Sequence, residues 1–295
     1  MRDVLITGGA GQVGTALARH AWPDGWCPVP LTRAELDLTD AGAIATAVAS
    51  RPWAAVINAA AYTAVDRAES EPVLAWQVNA LAPTALAAAC HAAGIPLVHV
   101  STDYVFDGGK AGAWEVGDPT GPLGVYGASK LGGEWAVRTA CPRHAIVRTA
   151  WVVSATGANF VKTMLRIGAD RETVRVVADQ HGSPTAAADL AAALATIAMG
   201  LADDPGAPAG TWHFSNAGAT TWAGFATEIF AQSAARGGPS PSVEAITTAD
   251  FPTPARRPAN SLLSTATLTR DWGIAPRLWA DALGPILNDL IGHGP

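Results

Sequence analysis

Val4-Leu-Ile-Thr7, Gly8-Gly-Ala-Gly-Gln-Val-Gly14 and Thr15-Ala-Leu-Ala-Arg-His-Ala21 open the chain as an apolar strand, a glycine loop and a helix. A dinucleotide site requires that order. Gly8 permits the tight turn, Gly11 lets the backbone approach a pyrophosphate, and Gly14 lets the helix pack close to the strand. Amides at the helix start then face the phosphates, with Gln12 and Val13 in the same turn. The competing reading is a glycine-rich turn of no special purpose.

Working outward, short apolar strands alternate with helical stretches. Strands are predicted at Cys27–Leu31, Ala54–Asn58, Pro96–Ser101 and Ala145–Thr149. Such alternation predicts an α/β fold, a doubly wound parallel sheet of Rossmann type. Thr32-Arg33 follow the second strand, where an NAD-selective site would carry a carboxylate. Arg33 is suited to a 2′-phosphate and favours NADPH, the alternative being an ordinary surface arginine. Asp37 and Leu38 come next, in a position to cover an adenine. After the third strand, Ala59-Ala-Ala-Tyr62 leaves room for a cofactor across the sheet edge. A helix is predicted from Glu71-Pro72 through Asn79 to Gly94, bent at Pro83. Asn79 either holds that bend or is simply exposed.

Thr102-Asp103-Tyr104 end the fourth strand and Ala150-Trp151 the fifth, where parallel sheets place ligands. Between them lies Tyr126-Gly-Ala-Ser-Lys130 at the start of a helix, which sets a phenol and an ammonium four residues apart on one face. An ordinary phenol, with a pKa of about 10, becomes more acidic beside a fixed cation and can then act as a general acid. Taken alone, the spacing also fits a solvated helix face.

Beyond Trp151 the pattern loosens. Residues 1–150 are expected to form the dinucleotide-binding domain, joined by a returning segment at about 172–215 with strands at Val174–Ala178 and Thr211–Ser215. Residues 151–171 and 216–295 are left for a smaller mixed α/β substrate-binding domain. Phe251-Pro-Thr-Pro-Ala-Arg-Arg-Pro-Ala-Asn260 reads as a fixed loop. Its Arg256 and Arg257 suit a diphosphate or an ordinary surface equally.

At 295 residues, two domains are the length-based expectation. A net charge of −6, 15% charged residues and no basic run argue against a nucleic-acid partner. Cys27, Cys90 and Cys141 have neither disulfide nor metal spacing, which suits a reducing cytoplasm. The chain enters a strand at once, so no export signal is expected, and the apolar stretch Ala186–Gly200 is too short for a bilayer.

Together these residues resemble the extended short-chain dehydrogenase/reductases that act on nucleotide sugars, and within them the dTDP-4-dehydrorhamnose reductase family. The matching stretches include Thr7–Gly14, Asn58–Asp66, Ser101–Phe106, Val125–Lys130, Arg148–Trp151, Asn159-Phe160, Asp179–Thr185 and Arg257–Asn260. Gln12-Val13 stand where the family's epimerases and dehydratases usually carry Phe-Ile.

The resemblance implies NADPH, with NADH also possible, and reduction of the C4 ketone of a dTDP-linked 4-keto-6-deoxy sugar. It implies a catalytic trio of Thr102, Tyr126 and Lys130. Gly11, Gln12, Val13, Asp37, Leu38 and Ala59 to Tyr62 fall at its cofactor positions, and Lys130 at its nicotinamide-ribose contact. Val65, Asp103, Tyr104 and Trp151 fall at its sugar-nucleotide positions, although Trp151 is also readable as a core tryptophan. Some relatives hold magnesium between subunits through glutamates where this chain has Thr15-Ala16 and Ala186–Ala188. No metal is therefore expected, and a monomer or homodimer without membrane attachment is. Two rivals remain: an epimerase or dehydratase of the same fold, and a non-catalytic subunit like the regulatory subunit of methionine adenosyltransferase.

Overall fold

The computed structural model describes residues 1–292. The first half runs β1 (Arg2–Thr7), α1 (Gln12–Arg19), β2 (Trp26–Leu31), α2 (Ala41–Ala49), β3 (Ala55–Asn58), α3 (Val65–Ala68) and α4 (Pro72–Trp76). A π turn at Gln77–Leu81 leads into α5 (Ala82–Ala92), β4 (Leu97–Thr102), α6 (Val125–Ala140) and β5 (His144–Thr149). The second half continues with β6 (Val152–Val153), α7 (Phe160–Gly168), β7 (Thr173–Val177), β8 (His181–Gly182), β9 (Thr185–Ala186) and α8 (Ala187–Asp203). It ends with β10 (Gly210–His213), β11 (Thr220–Thr221), α9 (Trp222–Ala234), β12 (Ser242–Ile246), α10 (Ala266–Trp272) and α11 (Trp279–Ile291).

Six parallel strands form the main sheet in the order β10-β5-β4-β3-β1-β2. The central strands are buried on both faces, which is why they read as continuous apolar runs. Pro28 and Pro30 lack the amide that an inner strand needs, and β2 accordingly lies at the edge, paired with β1 alone. From β1 the chain passes outward to β2 and then crosses back to β3. This reversal leaves a crevice above the carboxyl ends of β1 and β3.

One face of the sheet is covered by α1 and α8, the other by α2, α5 and α6. Helix α8 buries Leu190, Leu194, Ile197 and Leu201 at helical spacing, each contributing about 1.5–3 kcal/mol. It brings β10 back to the sheet beside β5.

The sequence placed the strand near Val174 in this returning segment. The structure instead pairs β7 with β12 in a separate two-stranded sheet. Val174 and Val176 point inward, while Arg175 meets Glu244 across the strands at 3.3 Å in solvent. That alternation marks a strand with one buried face, unlike the main-sheet strands. The return begins at Ala187, and β7 joins α7, α9, β12 and α11 around a second core.

Candidate active site

The crevice is a cleft of about 730 Å³, within the usual range for small-ligand sites. At its floor lie Gly8, Gly11, Gln12 and Val13, and at one end Arg33, Asp37 and Leu38. Ala59, Ala60, Ala61, Tyr62 and Val65 form one wall. Thr102, Asp103, Tyr104, Tyr126, Lys130 and Trp151 close the far end. Of the residues assigned from the sequence to the cofactor, catalytic and sugar-nucleotide positions, Gly14 alone does not line the cleft. It lies beneath, where an added Cβ would come 2.1 Å from the Gly8 carbonyl oxygen, so the helix packs on the turn only with glycine there.

Helix α1 begins at Gln12, three residues before the position expected from propensity, and no side chain caps its amides. Gln12 and Val13, which open the helix, line the cleft, and a helix start of this kind suits an anion. A dinucleotide therefore fits the donors present: helix amides for the pyrophosphate, small alanines for the nucleoside, and Arg33 for a 2′-phosphate. Asp37 is held below the ordinary carboxylate range mainly by hydrogen bonds from Thr39. Among the described residues, no group of three or more His, Cys, Asp or Glu is arranged to hold a metal ion.

The Pro83 bend takes the form of the π turn, and it turns Asn79 inward. Buried Asn79 accepts from the Tyr62 amide at 2.8 Å and donates to the Tyr62 carbonyl and to Ser129 Oγ at 3.1 and 3.0 Å. One side chain thereby joins the Ala59–Tyr62 wall to α6. On its other flank, α6 approaches the Tyr104 carbonyl so closely that a Cβ on Gly127 would sit 2.1 Å from that oxygen. Both contacts fix where Tyr126 and Lys130 point.

Tyr126 meets Tyr104 edge-on, with ring centroids 5.3 Å apart. The sequence led us to expect a phenol made acidic by Lys130. The structure corrects this: burial pushes the Tyr126 phenol up, and the nearby Thr102 hydroxyl only partly offsets it. The Lys130 amine is turned toward the sheet, donating to the Val100 carbonyl at 2.7 Å and lying 3.5 Å from His99 Nε2. Burial lowers its pKa to about 8. Tyr126 is thus a fully protonated donor whose conjugate base needs stabilisation, rather than a partly ionised phenol.

Thr102 donates to Asp103 Oδ1 at 3.0 Å and accepts from the Tyr104 amide. Asp103 is buried, its Oδ2 has no partner, and desolvation raises its pKa to about 6. Trp151 adopts φ 50°, unusual for a residue with a side chain. It stacks on Trp222 at 3.5 Å and remains half-buried at the cleft, so the core and cleft readings both describe it.

The two arginines of the proline-rich loop divide. Arg257 pairs with Asp66 at 2.7 Å and donates to the Tyr104 hydroxyl at 3.1 Å, whereas Arg256 is exposed. Sequence reasoning gave no role to the segment Ser154 to Asn159. There Gln12 Oε1 accepts from Ser154 Oγ and Asn159 Nδ2, both at 2.9 Å, and Gln12 Nε2 donates to the Val152 carbonyl at 3.3 Å. Asn159 also caps α7. An asparagine just before an amphipathic helix was the available signal, but its partner lies 147 residues away.

Comparison with known proteins agrees with this geometry. Residues 1–291 match the family model described as the RmlD substrate binding domain. The dTDP-4-dehydrorhamnose reductase of Sinorhizobium fredii is 43% identical over 292 residues, covering 99% of this chain and 98% of that protein. That of Streptomyces griseus is 45% identical over 292 residues, with 98% and 94% covered. The crystal structure of the Bacillus anthracis dTDP-4-dehydrorhamnose reductase, in complex with NADP, superposes with a TM-score of 0.90 at 35% identity, covering 97% of this chain and 99% of that one. With its glycine-loop cleft and a match running almost end to end, the chain belongs to the dTDP-4-dehydrorhamnose reductase family.

Proposed function

We propose that the protein reduces the C4 ketone of dTDP-4-dehydro-6-deoxy-L-mannose (dTDP-4-dehydro-L-rhamnose) to the alcohol of dTDP-L-rhamnose, using NADPH in preference to NADH. This is the last step of dTDP-rhamnose synthesis. The observation that carries the reading is the meeting of Thr102, Tyr126 and Lys130 in the cleft that begins at the glycine loop.

When bound, the reduced nicotinamide supplies the hydride. Tyr126 gives its phenolic proton to the oxygen at C4. Thr102 orients that oxygen through its hydroxyl; once protonated, Asp103 donates to Thr102 and frees the hydroxyl hydrogen for the ketone. Lys130 in its ammonium form stabilises the phenolate left behind and holds the ribose. Val65, Tyr104 and Trp151 line the sugar-nucleotide end, and Arg257 orients Tyr104. Gly8, Gly11, Gln12, Val13, Arg33, Asp37, Leu38 and Ala59 to Tyr62 hold the cofactor, with Gly14 supporting the loop. A cytoplasmic monomer or homodimer completes the reading, and three free cysteines are in keeping with that compartment.

The test is incubation with dTDP-4-keto-6-deoxy-L-mannose and each reduced cofactor, followed at the nicotinamide absorbance. Oxidation of NADPH faster than NADH, with dTDP-L-rhamnose as product, is expected. Failure to oxidise either cofactor, or purification with NAD that is returned unchanged, would refute the proposal.

A further inference from the structure

Behind the lysine lies a buried polar chain that the reduction does not use. Thr7 Oγ1 of β1 contacts Asn58 Oδ1 of β3 at 2.6 Å, Asn58 Nδ2 contacts His99 Nδ1 of β4 at 3.0 Å, and His99 Nε2 faces Lys130 Nζ at 3.5 Å. Thr7, Asn58, His99 and Lys130 are all at most 2% exposed. Three polar side chains aligned across three neighbouring strands, with a fourth reaching in from α6, are costly to bury unless each is satisfied.

A neutral imidazole has one donor and one acceptor nitrogen, so the chain closes in two ways. If the amine is an ammonium, Nε2 accepts from it, Nδ1–H donates to the Asn58 oxygen, and the Asn58 amide donates to Thr7. If the amine is free, Nε2–H donates to its lone pair, the Asn58 amide donates to Nδ1, and Thr7 donates to the Asn58 oxygen. In either scheme each of the three contacts pairs one donor hydrogen with one acceptor. Moving between them reverses the imidazole tautomer and turns the Asn58 amide over.

We infer that His99 is a positioning residue for Lys130, which holds the amine in the cleft in either charge state by reversing the Thr7–Asn58–His99 chain. Burial holds His99 itself neutral, well below the ordinary histidine range, with the Lys130 and His144 charges acting the same way. The charged and titratable groups near this pair are His144 on β5 and Glu134 and Tyr126 on α6. Glu134 favours the ammonium but is bound to Arg148 and Arg138, while His144 Nδ1 donates to the Cys141 carbonyl at 2.6 Å. The imidazole is therefore the group left to follow the amine.

The rate measurement in this test rests on the proposed reduction, but the tautomer measurement does not. In the intact protein labelled with ¹⁵N-histidine, the His99 ring is identified by its loss in His99→Gln and followed from about pH 6 to about pH 10, across the ordinary lysine range. Its two nitrogen shifts should exchange, with a midpoint equal to the alkaline limb of turnover. In Lys130→Met the ring should keep one tautomer throughout. His99→Phe removes the acceptor and should move the alkaline limb down by about one pH unit, the scale of one hydrogen bond to a charged group. His99→Gln, which keeps a side-chain oxygen, should recover part of that shift. A ring fixed in one tautomer across the range in the wild type would overturn the inference, even with turnover intact. So would an alkaline limb that stays in place in both His99 variants.

Discussion

Replacing Tyr126 by Phe removes a hydroxyl that donates in the proposed reaction but has little to do with the fold. Its ring is packed edge-on against Tyr104 by apolar contact, which Phe preserves. The fold should therefore change by less than about 1 kcal/mol, as expected for a hydroxyl whose burial is only weakly compensated. Loss of a positioned general acid costs on the order of 10²–10⁴-fold in rate, or about 3–5 kcal/mol of barrier. The structure argues for the upper part of that range, since no other acid reaches the same position: Lys130 is turned toward Val100, and the Thr102 hydroxyl donates to Asp103. Turnover would be measured by nicotinamide absorbance at saturating sugar nucleotide, and NADPH affinity by cofactor fluorescence. A fall in turnover of at least a hundredfold with NADPH affinity within about threefold of wild type is expected. Turnover within tenfold of wild type would remove Tyr126 from the acid role.

Three further outcomes are expected. Asp103, with a pKa raised by burial to about 6, binds more protons folded than unfolded between its ordinary value near 4 and 6, so it weakens the fold as pH rises through that window. Asp103→Asn should remove this slope and stabilise the protein at neutral pH by on the order of 3 kcal/mol, read from urea midpoints at pH 4 and pH 7, while lowering turnover. Glu134→Gln leaves the buried Arg148 guanidinium without its carboxylate and should cost about 3–5 kcal/mol in the same assay. Arg33→Ala should weaken NADPH about tenfold or more and leave NADH unchanged; an equal effect on both cofactors would show that Arg33 meets no 2′-phosphate.

Much of this was legible because the central features are local. The strand, glycine loop and helix follow one another within twenty residues, and Tyr126 and Lys130 are brought together by helix geometry alone. The helix start was misplaced because glycine is a poor helix former, so propensity delays α1 until after Gly14. Close packing overrides that preference. The excursion of β7 from the main sheet was visible in its alternating pattern but overridden by expected order along the chain. The direction of the Tyr126 shift could not be read from spacing, because it depends on where the Lys130 amine turns and on how much water is excluded. Asn79, Gln12 and His99 likewise acquire their partners across the fold.

The interleaving of the chain has a practical consequence. A fragment ending at residue 150 would include every glycine of the cofactor loop and the Tyr126–Lys130 pair, and would look like a self-sufficient nucleotide binder. It would lack α8 and β10, and with them Leu190, Leu194, Ile197, Trp212 and Phe214 from the core beneath α1. Truncation would expose that side of the sheet and leave β5 an open edge prone to self-association. Anyone building a cofactor sensor or chimera from this scaffold must therefore keep residues 187–215, together with Leu268 of α10 that closes the same core, rather than stop at the apparent boundary.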